Sequence, residues 1–127
     1  MANYTTKRID DMDAAFGGGF KRARAELGVE SFGMQILDLP PNLEDGYPEH
    51  DHSEDGQEEV YLVLRGSGRM AVDGDDIELT PDVIARVGPG VKRKITTGPD
   101  GARILALGAV PGEAYKINPT TELSAVT

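Results

Sequence analysis

The chain has 127 residues, no cysteine and a formal net charge of −9. This length predicts one domain with an apolar core, and the missing cysteines exclude disulfides and thiolate metal ligands. The negative charge argues against a nucleic-acid partner, because phosphates require a basic protein surface.

No apolar run approaches the roughly 18 residues that a membrane-spanning helix needs. The segment after Met1 is polar and lacks the apolar stretch of a secretory signal. We therefore expect a cytoplasmic protein that contacts neither membranes nor nucleic acid.

Residues 1–31 predict an extended arm followed by a short helix. The glycines at Gly17–Gly19 interrupt any regular element, and the helix is expected to end near Gly28. The basic cluster Lys21–Arg24 lies in this predicted helix. We interpret the cluster as a charged helix face exposed to solvent.

Residues 32–112 are predicted to form β-structure, and residues 113–127 a C-terminal tail. Pro40 and Pro41 end the first strand, and glycine-containing turns separate the others. The predicted strands are 32–39, 49–53, 59–64, 68–73, 77–79, 83–87, 91–96 and 102–109. Short strands at this regular spacing are typical of a β-sandwich or barrel.

The strand at 59–64 has one face that must be covered. Side chains alternate between the two faces of a strand, so an inward Glu59 leaves Val60, Leu62 and Leu64 on the outer face. Exposing an apolar face costs roughly 25 cal/mol for each Å². The cover comes either from the N-terminal arm or from a second copy of the chain.

The two histidines of the chain, His50 and His52, are separated by one residue, and Glu59 opens the next apolar run. Residues at this spacing on a strand point to the same face, and a short loop brings a carboxylate beside them. Two imidazoles and one carboxylate with open positions hold Fe(II), Mn(II) or a catalytic zinc. A shift of one residue makes Glu58 the inward carboxylate instead.

These residues resemble the first motif of the cupin superfamily, in its small single-domain, cupin-2 type. His50, His52 and Glu59 fall on its metal-binding positions, and Gly66 on its turn glycine. The resemblance covers roughly residues 32–110. It implies an all-β, cupin-type double-stranded β-helix (jelly-roll) barrel after a short N-terminal arm and helix. It also favours Glu59 over its neighbour and a homodimer that pairs through the apolar sheet face.

The second cupin motif is approximated by residues 80–94, with one replacement. The family pattern places a fourth metal ligand, a histidine, near a Pro-Gly pair, whereas Pro89 and Gly90 here lead to Arg93. Alternation places Arg93 on the same face as Val91 and Ile95, so we expect it to point inward. Arginine offers no lone pair to a metal, because its guanidinium stays protonated.

Two arrangements of the pocket therefore remain open. In one, His50, His52 and Glu59 bind a divalent metal (Fe, Mn, Zn or Ni), and Arg93 grips a substrate carboxylate. In the other, Arg93 pairs with Glu59 and leaves a metal-free pocket. The ordinary alternative to both is a pair of exposed histidines beside a charged loop. Tyr61, on the inward face, is a further candidate substrate contact, although an inward tyrosine is more often part of the core.

The two arrangements of the pocket imply two classes of function. One is a metal-dependent enzyme of dioxygenase or isomerase type that acts on a small, anionic metabolite. The other is a non-catalytic protein that binds or senses a small molecule. The metal content of the purified protein separates these hypotheses, since stoichiometric metal favours the enzyme.

Overall fold

The computed structural model describes residues 3–123, so the first two residues of the predicted arm and the last four of the predicted tail lie outside the described residues. The strands are β1 (Ala14–Ala15), β2 (Phe20–Lys21), β3 (Gly33–Leu39), β4 (Glu58–Val72), β5 (Asp75–Leu79), β6 (Ile84–Val87) and β7 (Arg93–Ala109). One helix, α1, spans Ala23–Leu27, and short 3-10 helices lie at Ile9–Asp11, Phe16–Gly18 and Pro119–Thr121.

The strands form a seven-stranded sheet in the order β1-β2-β3-β7-β4-β5, with β6 paired to β4. Every pairing is antiparallel. Because β1 and β2 precede residue 32 and β2 pairs with β3, the N-terminal arm extends the same sheet. The all-β prediction is confirmed.

Two long strands replace four of the predicted short ones. β4 contains 15 residues and β7 contains 17, and their pairing shifts register on both sides of Gly66. The backbone of Gly66 is left-handed, with φ 79°, and a side-chain carbon there would collide with the carbonyl oxygen of Gly101. A glycine is therefore required at this bend. The turn predicted between the strands at 91–96 and 102–109 lies inside β7.

The predicted strand at 49–53 is wrong, because this segment makes one isolated bridge to β7 rather than a ladder. The backbone N–H of His50 donates to Arg93 O at 3.0 Å, and the N–H of Arg93 donates back to His50 O at 2.9 Å. The segment needs no further strand pairing to hold its position, since this bridge already fixes His50 against the start of β7.

The alternation predicted for β4 is confirmed. Glu59, Tyr61 and Val63 are buried, and the last two belong to the apolar cluster that fills the barrel interior. Leu64, on the opposite face, is 43% exposed, and Ile84 of the paired strand β6 is 66% exposed.

Part of the outer sheet face is covered by the N-terminal arm. Met12 and Ala23 form a second buried cluster with Ile36 of β3, and Leu105 of β7 packs against it. The arm therefore covers the β3–β7 part of the face, while Leu64 remains at the surface of the chain.

The interpretation of the basic cluster as a solvent-exposed helix face is wrong. Lys21, Arg22 and Arg24 are all buried. Arg22 Nε donates to Thr120 O at 2.9 Å, and Arg24 Nη2 donates to the Glu122 carboxylate at 2.6 Å. These partners lie 98 residues further along the chain, so a local charge pattern gave no indication of them. The predicted helix end is confirmed by the left-handed cap at Gly28, with φ 79°.

None of the helices within residues 3–123 is long and apolar enough to cross a membrane.

Candidate metal centre and its pocket

The fold brings His50, His52 and Glu59 together in one cluster. Their potential ligand atoms all lie within 4.8 Å of one another. His52 Nε2 is 3.0 Å from Glu59 Oε1, and His50 Nε2 is 3.9 Å from the same oxygen. Ligands at right angles around an ion with bonds near 2.1 Å are separated by roughly 3 Å, so the cluster is close to the spacing of a metal site.

Backbone contacts fix where each of these side chains starts. His50 is held by its bridge to Arg93, and the N–H of His52 donates to Pro89 O at 2.7 Å. Glu59 lies on β4, where its partner across the ladder is Val87 of β6. The ligands thus come from one loop and one strand, both attached to the barrel wall.

The outer ring nitrogens of both histidines face acceptors. His50 Nδ1 is 3.1 Å from Pro48 O, and His52 Nδ1 is 3.0 Å from a carboxylate oxygen of Asp55. These oxygens accept hydrogen bonds and do not donate, so we assign the proton of each neutral ring to Nδ1. The Nε2 lone pairs are then free, as a metal-ligating histidine requires.

The His52 Nε2 atom lacks a hydrogen-bond partner within residues 3–123, which bears on whether the cluster holds a cation. It is buried and has no hydrogen-bond partner among the described residues, because its close approach to Glu59 is outside hydrogen-bond geometry. With the proton on Nδ1, two acceptor atoms face each other at 3.0 Å. Such a pair requires positive charge between its members, either a second proton on the ring or a cation. The residues present therefore fit a divalent ion.

The charges around Glu59 favour its ionised form. Burial raises the pKa of this carboxyl, but the neighbouring imidazoles of His50 and His52 and the hydrogen bond from Tyr61 together outweigh burial and hold the pKa well below its ordinary range. The Glu59 carboxylate, at hydrogen-bonding distance, in turn raises the pKa of the His52 imidazole.

The phenol of Tyr61 is hydrogen-bonded to Glu59 and does not point into a cavity that a ligand could enter. Its O–H donates to Glu59 Oε1 at 2.6 Å, and burial is the main reason that its pKa is raised. A neighbouring phenol, Tyr47, packs edge-on against the His50 ring, with centroids 5.4 Å apart. Burial also raises the pKa of Tyr47, to about 12. Both phenols therefore remain protonated donors near neutral pH.

Arg93 is fully buried, as alternation within its strand predicts. Its Nη1 lies 3.7 Å from Glu59 Oε1, and its Nη2 donates to Gly88 O at 3.0 Å. Nε and Nη1 have no hydrogen-bond partner within residues 3–123. The guanidinium thus faces the same carboxylate as the two histidines.

A chamber of about 500 Å³ lies beside the cluster. His50 and His52 line it together with Tyr47, Phe20 and Gln35. Neither Arg93 nor Tyr61, the two expected substrate contacts, is among its lining residues. A wider groove of about 800 Å³ adjoins the chamber and shares Phe16, Gly19, Leu39 and Gly46 with it, but none of the three clustered ligands lines the groove. A narrower cavity of about 190 Å³ also meets the cluster, at His52 and Glu59. We assign ligand binding to the chamber of about 500 Å³, because both histidines line it and it is the roomier of the two.

Sequence reasoning did not single out Tyr47, Asp55 or Gln35. Gln35 had a usable signal, since it shares the parity of Leu37 and Leu39, which pack against the barrel interior. A polar residue at an interior position of a strand is a candidate pocket residue. Asp55 had no comparable signal, because its contact with His52 depends on the loop conformation.

Solved structures with the same fold were found across the whole chain. A cupin protein from Bacteroides fragilis has a TM-score of 0.70 and is 23% identical, over 99% of this chain and 100% of its own. A sugar phosphate isomerase from a cupin superfamily, from Silicibacter pomeroyi, has a TM-score of 0.64 and 16% identity, over 82% of this chain and 74% of its own. These likenesses confirm the predicted cupin-type barrel.

A third likeness is partial. The DMSP lyase DddQ from Ruegeria pomeroyi has a TM-score of 0.56 and 22% identity, over 73% of this chain and 45% of its own. No protein-family model and no curated protein sequence matches this chain. The comparisons therefore show the fold and leave the activity to be argued from the site.

Proposed function

We propose, starting from the cupin fold of this chain, that it binds a small metabolite at a divalent metal held by His50, His52 and Glu59 and acts on it as an enzyme. The observation that carries the proposal is the buried His52 Nε2, which faces the Glu59 carboxylate at 3.0 Å without a hydrogen bond. A cation between these atoms resolves the contact. Two proteins of the same fold are an isomerase and a lyase by name.

Each residue then has a defined task. A bound divalent ion supplies Lewis-acid polarisation of a substrate oxygen or nitrogen. Pro48 O and the Asp55 carboxylate orient the two imidazoles, as partners behind a metal ligand generally do. Tyr61 holds the Glu59 carboxylate by its 2.6 Å hydrogen bond.

The second candidate is a metal-free pocket that binds a small molecule without catalysis. The specific observation in its favour is the ion pair of Arg93 with Glu59, at 3.7 Å between buried groups. In this arrangement the guanidinium supplies the positive charge that a metal supplies in the first. The two proposals differ in one measurable quantity, the metal content.

We also propose that the protein assembles as a homodimer through the outer face of β4, at Val60, Leu62 and Leu64. The exposure of Leu64 and of the neighbouring Ile84 supports this assembly. The N-terminal arm covers a different part of the same sheet face.

A metal titration tests the proposed function. Metal-free protein is titrated with Fe(II), Mn(II), Zn(II) and Ni(II) by calorimetry, and the bound metal is counted by elemental analysis. We expect wild type to bind about one ion and His52→Ala to lose it, because two remaining ligands are too few for a tight site. Asp51→Asn, at the half-buried position between the histidines, serves as the matched control and should bind as wild type does. Wild-type protein that binds none of the four ions would refute the metal-dependent function.

A further inference from the structure

The chamber beside His50 and His52 lacks formal charge. None of the described residues that line its 500 Å³ is aspartate, glutamate, lysine or arginine, although 28% of the chain is charged. Binding pockets of this size are usually apolar, with a few polar groups that orient the ligand. Here the polar side chains are those of Gln35, Tyr47 and the two histidines.

The apolar part of the chamber is built from aromatic and branched side chains. Phe20, Leu37 and Leu39 line it, and Phe16 stands at the same opening. The rings of Phe16 and Phe20 meet edge to face, with centroids 5.5 Å apart and planes 76° apart. Aromatic rings prefer this arrangement, and a flat ligand ring fits the same edge-to-face contacts.

Phe16 is the unusual member of this wall. Its backbone is left-handed, with φ 52°, and its side chain is 68% exposed. This region is sterically unfavourable for a bulky side chain. The ring gains one edge-on neighbour and the Arg22 guanidinium 5.8 Å from its centroid, but little burial. An exposed aromatic in a strained backbone is better explained by a partner that covers it than by stability of the unliganded chain.

The two residues after Phe16 are glycines with left-handed backbone conformations. Gly17 and Gly18 have φ of 77° and 101°, and a side-chain carbon at either would meet no atom within 4 Å. The glycines are thus required by the backbone conformation and not by close packing. The position of Phe16 is set by this short connection between β1 and β2.

We infer that the chamber takes a ligand with a neutral, apolar body about the size of an aromatic ring, and that Phe16 packs over this body. One nitrogen or oxygen donor of the ligand faces His50 and His52. This inference rests on the proposed function for the role of that donor. It narrows the ligand class, because a charged body would lie against uncharged walls, and Arg93 does not line the chamber.

Three small probes test the inference: imidazole, 4-phenylimidazole and 4-(4-carboxyphenyl)imidazole. Each is titrated by calorimetry into zinc-loaded and into metal-free wild-type protein. We expect 4-phenylimidazole to bind at least about ten-fold more tightly than imidazole, because the chamber buries the added ring. The carboxylated probe should bind at least about ten-fold more weakly than 4-phenylimidazole, because its charge loses water without gaining a partner.

Two variants distinguish binding in the chamber from nonspecific hydrophobic binding elsewhere on the protein. Phe16→Ala should reduce the preference for 4-phenylimidazole over imidazole by roughly three-fold or more and leave imidazole binding unchanged. Phe32→Ala, a partly exposed phenylalanine outside the chamber, should leave both affinities as in wild type. Equal changes in the two variants would overturn the role of Phe16.

The outcomes for metal and chamber are distinguishable. A protein that binds no metal but still prefers 4-phenylimidazole, in a way that depends on Phe16, refutes the metal site and supports the chamber. If 4-phenylimidazole binds no more tightly than imidazole to either form of wild type, the inference fails. A carboxylated probe that binds best also overturns it.

Discussion

The guanidinium of Arg93 lies 3.7 Å from the carboxylate of Glu59, and their side chains are 0% and 5% exposed. The same carboxylate oxygen is 3.0 Å from His52 Nε2 and accepts the Tyr61 hydrogen bond. Glu59 is therefore the one anion around which the buried groups of this site are arranged. Arg93 and a divalent ion are alternative sources of the positive charge that Glu59 requires. Because the two cations repel each other, the presence of one disfavours the binding of the other.

The first prediction concerns this competition. Arg93→His removes a buried cation and adds a neutral nitrogen on the face that points to Glu59. The variant should bind a divalent ion at least about ten-fold more tightly than wild type, or about 1.4 kcal/mol. Calorimetric titration of both proteins with the same ion measures the difference. Lys92→His is the matched control, because it adds a histidine at the exposed neighbouring position. Equal affinities for wild type and Arg93→His would rule out a competing charge at residue 93.

The second prediction concerns the phenol that holds Glu59. Tyr61→Phe removes the donor of a buried hydrogen bond to a charged acceptor, and such bonds contribute roughly 1.5–3 kcal/mol. The free energy of unfolding, measured in denaturant, should fall by about that amount. The Tyr115 phenol makes no hydrogen bond to the described residues, so the unfolding free energy of Tyr115→Phe should lie within about 0.5 kcal/mol of the wild-type value. Equal losses in the two variants would contradict the role given to Tyr61.

The third prediction concerns assembly. Leu62→Glu places a charge in the middle of the outer face of β4, so it should yield a monomer or an aggregate in place of a homodimer. Light scattering at micromolar concentration measures the mass. Ile117→Glu, at a partly exposed position in the C-terminal segment, should leave the mass unchanged. A wild-type monomer at this concentration would end the dimer proposal.

The fourth prediction concerns acid stability. Arg103 contacts both oxygens of Asp38, at 2.6 and 3.1 Å. Burial raises the pKa of Asp38, but the Arg103 guanidinium outweighs it, and the net pKa is below the ordinary 3.8. A carboxyl whose pKa is lower in the folded chain stabilises it above the ordinary pKa, and this contribution is lost as the pH falls through the lowered value.

Arg103→Gln should therefore cost about 1 kcal/mol near neutral pH, a modest figure because solvent screens partly exposed pairs. Its loss of stability between about pH 5 and about pH 3 should be smaller than that of wild type. Unfolding in denaturant at several pH values gives both quantities. Arg69→Gln breaks an exposed pair with Asp76 and should change neither. If the unfolding free energy falls equally between about pH 5 and about pH 3 in wild type and in Arg103→Gln, Asp38 does not contribute to the acid sensitivity of the fold.

The candidate site was predictable where it depended on spacing along the chain. The motif placed His50, His52 and Glu59 together, and the structure brings all three within 4.8 Å. The strand from which a shared face of the two histidines was predicted does not form, because the segment makes one isolated bridge. The partners that orient the rings were not predictable, because Pro48 O and the Asp55 carboxylate reach the histidines through loop conformation. The chamber walls were missed for a related reason, since Phe16 and Phe20 come from an arm whose path the sequence pattern did not define.

The local pattern of residues was enough to predict which side chains of β4 point inward and to predict a turn at Gly66. Alternation is a local property of an extended chain, and the left-handed backbone at Gly66 excludes a side chain. The burial of Arg22 and Arg24, in contrast, depends on long-range contacts, because their acceptors Thr120 and Glu122 lie 98 residues away along the chain. Closing the barrel brings such distant segments together, and a local pattern of charges contains no information about which carbonyl or carboxylate will then lie within reach.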